Sequence, residues 1–115
     1  WNDYYKGLKE LQEKGRIRLP KIPDYATNNA HMFYIIVNSL KERDNFISFL
    51  KNNGVNSVFH YQSLHKSKYY RNKYDGYELK NSDLYTNQLV RLPLYYELSN
   101  NDVNNIVDLI IEFYS

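Results

Sequence analysis

Apolar residues recur along this chain in two periods, and each change of period marks an element. From Asn2 to Lys14, Tyr4, Leu8 and Leu11 fall at helical spacing, and Gly15 stands where a left-handed cap would close the helix. Pro20 and Pro23 exclude a helix interior from Arg16 to Pro23, which reads as an extended connector. Asp24 to Asn29 is polar loop. His31 to Val37 is a nearly continuous apolar run, and its β-branched and aromatic content predicts a buried strand that begins at His31. Ser39 and Glu42 have the spacing of a capping box, in which the hydroxyl takes a free N–H and the carboxylate reaches back. Phe46, Ile47 and Leu50 continue that helix, and Gly54 closes it.

The second half is shorter in its periods. Val55 to Tyr61 alternates, with Val55, Ser57, Phe59 and Tyr61 on one face and Asn56, Val58 and His60 on the other. Lys66 to Tyr74, basic and tyrosine-rich, reads as a surface helix or loop. Ser82 to Gln88 predicts a short helix with Leu84 and Tyr85 inward, and Leu89 to Leu92 a strand that Pro93 ends. Ser99 caps a last helix whose apolar stripe is Val103, Ile106, Val107, Ile110, Ile111 and Tyr114. Helices alternating with few strands predict an α+β fold. The expected form is a two-layer sandwich, a short and mostly antiparallel sheet with helices mainly on one face. Residues 1–115 form one domain, in which 1–23 are a leading helix and connector and 24–115 the α+β core.

Composition narrows the chemistry. The 115 residues include no cysteine, which excludes disulfides and thiolate metal sites. The net charge of +2 is scattered and makes no case for nucleic acid. The 13 tyrosines fit an AT-rich genome and are not read as function. No apolar run approaches the roughly 18 residues a membrane span needs, and no signal peptide is visible at the N-terminus. Trp1 is a bulky first residue on a helix already under way, so the chain is expected to start within a longer reading frame.

Few residues point to chemistry. His60 and His65 are five apart, not the four of a helical metal pair, and His31 is expected inside a strand, so no metal site is read. No serine sits in a nucleophile turn, and the glycines are too dispersed to cradle a phosphate. The segment Phe59 to His65 does stand out, because a strand there runs into a loop with two imidazoles, a phenol and the Ser63 hydroxyl. Such groups can serve phosphate or sugar hydroxyls. Equally, His60 can end a strand and Tyr61 pack on the core edge. Arg91 can face an anionic ligand or be an edge arginine reaching for water. Lys66 to Tyr74 could stack bases, but the RNP1 pattern of an RNA-recognition sheet is missing.

Four motifs in order carry a resemblance. They are Asn29 to Ile35, Glu42-Arg43 opening a helix, Phe59-His60-Tyr61 with Leu64-His65, and Arg91 to Tyr96 with Leu98-Ser99. In that order and spacing the chain resembles the C-terminal part of the DegT/DnrJ-type sugar-nucleotide aminotransferases, over essentially its whole length. The resemblance implies a PLP-dependent parent of fold-type I architecture. It implies a homodimer in the cytoplasm that moves an amino group, usually from glutamate, onto a nucleotide-linked 4-keto-6-deoxy sugar. The Schiff-base lysine would lie in a large N-terminal domain, so no lysine here takes that role, and this chain alone is expected to bind no PLP and to be inactive. His60, Tyr61 and His65 would face the sugar nucleotide; Arg91 falls in a matching motif with a substrate or structural role. An exposed apolar patch, with the first helix contributing, is expected where the large domain docks. The alternative is a stand-alone module for RNA or a small ligand.

Overall fold

Each strand needs partners for its backbone N–H and C=O groups, and here the partners lie far apart in the chain. In the computed structural model, which describes residues 1–115, β1 (Phe33–Ile36), β2 (Val58–Phe59) and β3 (Leu89–Leu92) form one antiparallel sheet. The order is β1-β3-β2. Phe33 pairs with Leu92 and Ile35 with Val90 on one side of β3, and Val58 pairs with Arg91 on the other. The connector is more than a link, since Arg18 and Ile36 exchange two backbone hydrogen bonds of 2.9 Å.

The helices are α1 (Asn2–Gly7), α2 (Lys9–Glu13), α3 (Leu40–Asn52), α4 (Lys80–Gln88) and α5 (Asn100–Phe113). The single helix expected over residues 2–14 is broken at Leu8. The break falls beside Gly7, where α1 presses on α5: a Cβ at Gly7 would lie 2.8 Å from Val107 Cγ1. Tyr4, Leu8 and Leu11 are buried with Phe33, Ile35, Val90 and Leu92 of the sheet, Phe46 and Leu50 of α3, and Val103, Ile106 and Ile110 of α5. The fold is therefore the expected two-layer α+β sandwich. No helix is long and apolar enough to cross a membrane.

Several local expectations change. His31 is exposed and lies outside β1, because the chain turns at Ala30 (φ 52°) and Asn29 Oδ1 accepts from the His31 N–H. The alternating segment 55–61 pairs only at Val58 and Phe59, because Ser57 N–H turns back to Val55 O. Both paired residues are exposed, while Ser57 is buried. The Ser39 hydroxyl caps α3 through Glu42 N–H, but the Glu42 carboxylate accepts from Asn38 N–H and from the Tyr114 phenol at 2.7 Å. Half of the capping box is thus exchanged for a tie across the fold. The other cap, Ser99 with Asp102, is fully reciprocal. Ile111 turns outward, 41% exposed, and Leu109 and Phe113 are partly buried against the core instead. Of the first helix, Tyr4, Leu8 and Leu11 fill the core, while Trp1 and Tyr5 are half-buried against it. Large exposed apolar side chains concentrate from Val58 to Leu79.

Tyr4 shows how closely the first helix is held. Its ring stacks on Phe33 at 5.0 Å between centroids, and its hydroxyl donates to Pro93 O at 3.0 Å. Burial pushes the phenol pKa well up. Filling the contact between α1 and α5 tests this arrangement. Gly7→Val forces a branched side chain onto the stiff Val107 and is expected to cost about 1–3 kcal/mol in urea denaturation. An unchanged midpoint would show that the two helices do not meet there.

Candidate functional site

The chain leaves β2 at Phe59 and enters a stretch that owes its shape to side chains. Ser82 and Thr86, four apart, share one face of α4. Ser82 Oγ donates to the buried Ser63 Oγ at 3.1 Å, Ser63 Oγ lies 2.7 Å from Thr86 Oγ1, and Thr86 Oγ1 donates to Tyr61 O at 3.2 Å. The three hydroxyls thus form a relay that seats residues 61–63 on α4.

Two charged residues hold the same region from other sides. Arg43 of α3 has a side chain only 12% exposed. It donates to Thr86 O, binds Asp44 at 2.8 Å, and places its guanidinium 5.0 Å from the Phe59 ring centroid. One arginine therefore joins α3, β2 and the end of α4, where a cation also suits the helix dipole. Asp83 of α4 receives Lys66 Nζ at 2.6 Å and lies 3.2 Å from His65 Nε2. Both partners sit on a single 3-10 turn, Leu64–Lys66. The Lys66 ammonium holds the Asp83 carboxyl below the usual carboxylate range, against the opposing effect of its burial.

These ties shape a cavity of about 290 Å³ lined by His60, Tyr61, Gln62, Ser63, Leu64, Ser82, Tyr85 and Thr86. Tyr61 is 73% exposed and does not pack on the core edge, and its ring lies 4.5 Å from that of His60. His60 Nδ1 is buried without a hydrogen-bond partner. Tyr85 is 46% exposed on the cavity wall, and the expectation that it points inward fails because α4 turns this face away from the core. The structure thus brings His60 and Tyr61 together, while His65 lies beyond Leu64. Arg91 does not line that cavity. It lies on β3, the middle strand, between Tyr34 and Val58, so it is not an edge residue. It makes no ion pair.

Asp83, Thr86 and Arg43 are the residues that residue types alone miss as parts of the site. The i, i+4 spacing of Ser82 and Thr86 on one helical face is a signal that could have found Thr86. A larger hollow of about 550 Å³ lies between Asn53–Asn56 and α5, but its one carboxylate, Asp102, is committed to the Ser99 cap. No group of His, Asp and Glu residues is placed to hold a metal ion. A lysine that forms a Schiff base is activated by desolvation or a neighbouring cation. Every lysine in this chain is exposed, so the residues present do not form a PLP site.

Residues 1–111 match the model of the DegT/DnrJ/EryC1/StrS aminotransferase family. Among solved structures, the aminotransferase TlmJ from Streptoalloteichus hindustanus superposes with a TM-score of 0.85 at 23% identity, over 98% of this chain and 29% of that one. NtdA from Bacillus subtilis, solved with bound cofactor PMP, gives 0.81 at 24% identity, over 97% and 26%. PseC from Helicobacter pylori, an aminotransferase involved in the biosynthesis of pseudoaminic acid, gives 0.79 at 15%, over 98% and 31%. These likenesses show the fold. The present chain spans less than a third of the length of each.

The ties make two measurable demands. Arg43→Met keeps the length of the side chain and removes its charged hydrogen bonds; it is expected to cost about 1.5–3 kcal/mol in urea denaturation, and a neutral result would remove Arg43 from the scaffold. For Asp83 the sign follows from its lowered pKa. A carboxyl that titrates lower when folded stabilises the fold fully above its unfolded value of about 3.9, and that contribution fades as pH falls through the folded value. Between about pH 7 and about pH 2, stability is expected to fall less in Asp83→Asn than in the parent chain, and equal acid limbs would argue against the ties to Lys66 and His65.

Proposed function

The chain belongs to the DegT/DnrJ/EryC1/StrS aminotransferase family, and we propose that it is the C-terminal small domain of a PLP-dependent enzyme that transfers an amino group from glutamate to a nucleotide-linked 4-keto-6-deoxy sugar. The observation that carries this reading is the cavity of His60 and Tyr61, seated on α4 by the Ser82–Ser63–Thr86 relay. The partners of this domain are a large N-terminal domain holding PLP and a second copy of the whole chain, in the cytoplasm. The 115 residues alone are inactive.

Within that reading the work of this chain is to bind and orient. The His60 imidazole and the Tyr61 phenol offer donors and acceptors to sugar hydroxyls. The relay fixes their height above α4, so the sugar is held in one pose, which is what positioning contributes to rate. The exposed apolar side chains from Val58 to Leu79 supply surface that docking would cover and so exclude water from the cleft. Arg91, unpaired on the outer face of the sheet, meets an anionic group of the large domain or of the substrate.

One contact favours the RNA-binding alternative: Lys73 Nζ lies 3.7 Å from the centroid of the exposed Tyr69 ring. The sheet itself argues against it. Its outer face carries Tyr34, Ile36, Leu89 and Arg91 on the two longer strands, a single aromatic where an RNA-recognition sheet stacks two or three bases.

The test joins this chain to a PLP-holding domain of the family and supplies glutamate with a nucleotide-linked 4-keto-6-deoxy sugar, following the amino sugar by mass spectrometry. Turnover by the joined protein and none by the 115 residues is the expected result. In the joined protein, His60→Ala and Tyr61→Phe are expected to raise KM for the sugar nucleotide about tenfold, a loss of roughly 1.4 kcal/mol of binding. Turnover by the isolated chain, or KM values unmoved by both substitutions, would overturn the reading.

A further inference from the structure

The last turn of α3 closes on a dipeptide with chemistry of its own. Asn53 is the one asparagine in the chain that precedes a glycine. The backbone nitrogen after an asparagine can attack the side-chain carboxamide and close a five-membered ring. A side chain on the attacking residue crowds that approach, and glycine has none. Asn38, Asn56 and Asn81 precede serines, so a Cβ obstructs the same attack at each of them.

The helix end is what calls for this glycine. Gly54 has φ 80°, the left-handed value that closes a helix and that strains any residue with a side chain. Its N–H donates to Lys51 O at 3.0 Å, and the next N–H, of Val55, donates to Leu50 O at 2.8 Å. Asn53 is the cap itself, and its Nδ2 donates to Phe49 O at 3.0 Å. The need for a helix stop thus places the most reactive asparagine sequence of the chain at the end of α3.

The two reacting groups are open to solvent yet tied. Asn53 and Gly54 are exposed, on the rim of the hollow of about 550 Å³ beside α5. A Cβ built at Gly54 would meet nothing within 4 Å, so no neighbour crowds the bond. Resistance comes from two hydrogen bonds, Gly54 N–H to Lys51 O and Asn53 Nδ2 to Phe49 O. Both must break before Gly54 N can reach Asn53 Cγ. Helix ends fray, and such local opening costs far less than unfolding the whole chain.

We propose that Asn53-Gly54 is a site of spontaneous covalent modification, gated by fraying of the last turn of α3, with water as its co-reactant. Gly54 N gives up its proton to solvent and bonds to Asn53 Cγ. The Cγ–Nδ2 bond breaks, and Nδ2 leaves as ammonia with a proton from water. A water molecule then opens the ring at one of its two carbonyls. Attack at Cγ leaves aspartate; attack at the backbone carbonyl leaves isoaspartate, in which the main chain runs through Cβ.

Either product puts a carboxylate beside the free carbonyls of a helix C-terminus, an unfavourable place for negative charge. Isoaspartate also lengthens the corner that the bond from Val55 N–H to Leu50 O closes, and Val55 is packed against the core. Val58 enters β2 three residues further on. The modification therefore loosens the lead into the strand from which the His60–Tyr61 loop departs.

The experiment ages the 115-residue chain in mildly alkaline buffer, both folded and in guanidinium chloride, and maps its peptides by mass spectrometry. Change of amide to carboxyl is read from the mass, and isoaspartate from the fragmentation. Conversion is expected only in the peptide that holds Asn53, and at least about tenfold more slowly in the folded chain than in the denatured one. Dilute denaturant is expected to raise that rate in step with hydrogen exchange at the Gly54 amide, which reports the same opening. Asn53→Gln, which would have to close a six-membered ring, is expected to abolish conversion, and the aged chain is expected to unfold at lower denaturant than the fresh one. No conversion at Asn53 in the folded chain once the denatured chain has converted fully, or conversion as fast at Asn38, Asn56 or Asn81, would overturn the site. Equal rates in the folded and denatured chains would overturn the gate.

Discussion

Val90 and Leu92 on β3 lie against a layer of side chains drawn from both ends of the chain, and the rest of the molecule depends on that contact. A three-stranded sheet with a two-residue edge strand cannot shield its own apolar face. Cover comes from Tyr4, Leu8 and Leu11 at one end and from Val103, Ile106 and Ile110 at the other. The two sets must also fit each other, which is why a glycine stands where α1 touches Val107. The Tyr4 hydroxyl on Pro93 O and the Tyr114 hydroxyl on Glu42 close the layer with directional bonds at opposite ends of the sequence.

The site is built on the opposite principle. Residues 60–79 contribute only Ser63 to the set of buried residues and no strand to the sheet. Their placement comes from polar ties: the hydroxyl relay, Asp83 under Lys66 and His65, and Arg43 on Thr86 O. Hydrophobic burial sets where β3 lies, and these few bonds then set where the loop lies on α4. The His60–Tyr61 cavity inherits its shape from α4, which supplies Ser82, Tyr85 and Thr86 to its wall.

The sequence was most legible where one period persisted. β1, α3, β3 and α5 follow from apolar spacing and from the serines that cap α3 and α5, because burial on one face imposes that spacing. It was least legible where a single contact overrode the pattern. Ser57 turning back on Val55 shortens β2, and Glu42 chooses Tyr114 over its own cap. At the site, His60, Tyr61 and His65 could be picked out by residue type, and the family resemblance followed from the order of four motifs, of which theirs is one. That Leu64 would part His65 from the other two could not be, since it depends on how a 3-10 turn sits on Asp83. Arg43 was legible only within the Glu42-Arg43 motif, and its role was not, as two of its partners lie sixteen residues away at Phe59 and 43 away at Thr86.

The separation of a core closed by the chain ends from a loop hung on α4 has a consequence for how such a protein can diverge. The long excursion from Gln62 to Leu79 returns to the fold through few points, and most of its side chains are exposed. Substitutions there leave the packing of β3 alone, provided Ser63 and the Asp83 partners are kept. Descendants of one sequence can therefore exchange the lining of the cleft piece by piece, trying new ligands without first having to rescue their folding.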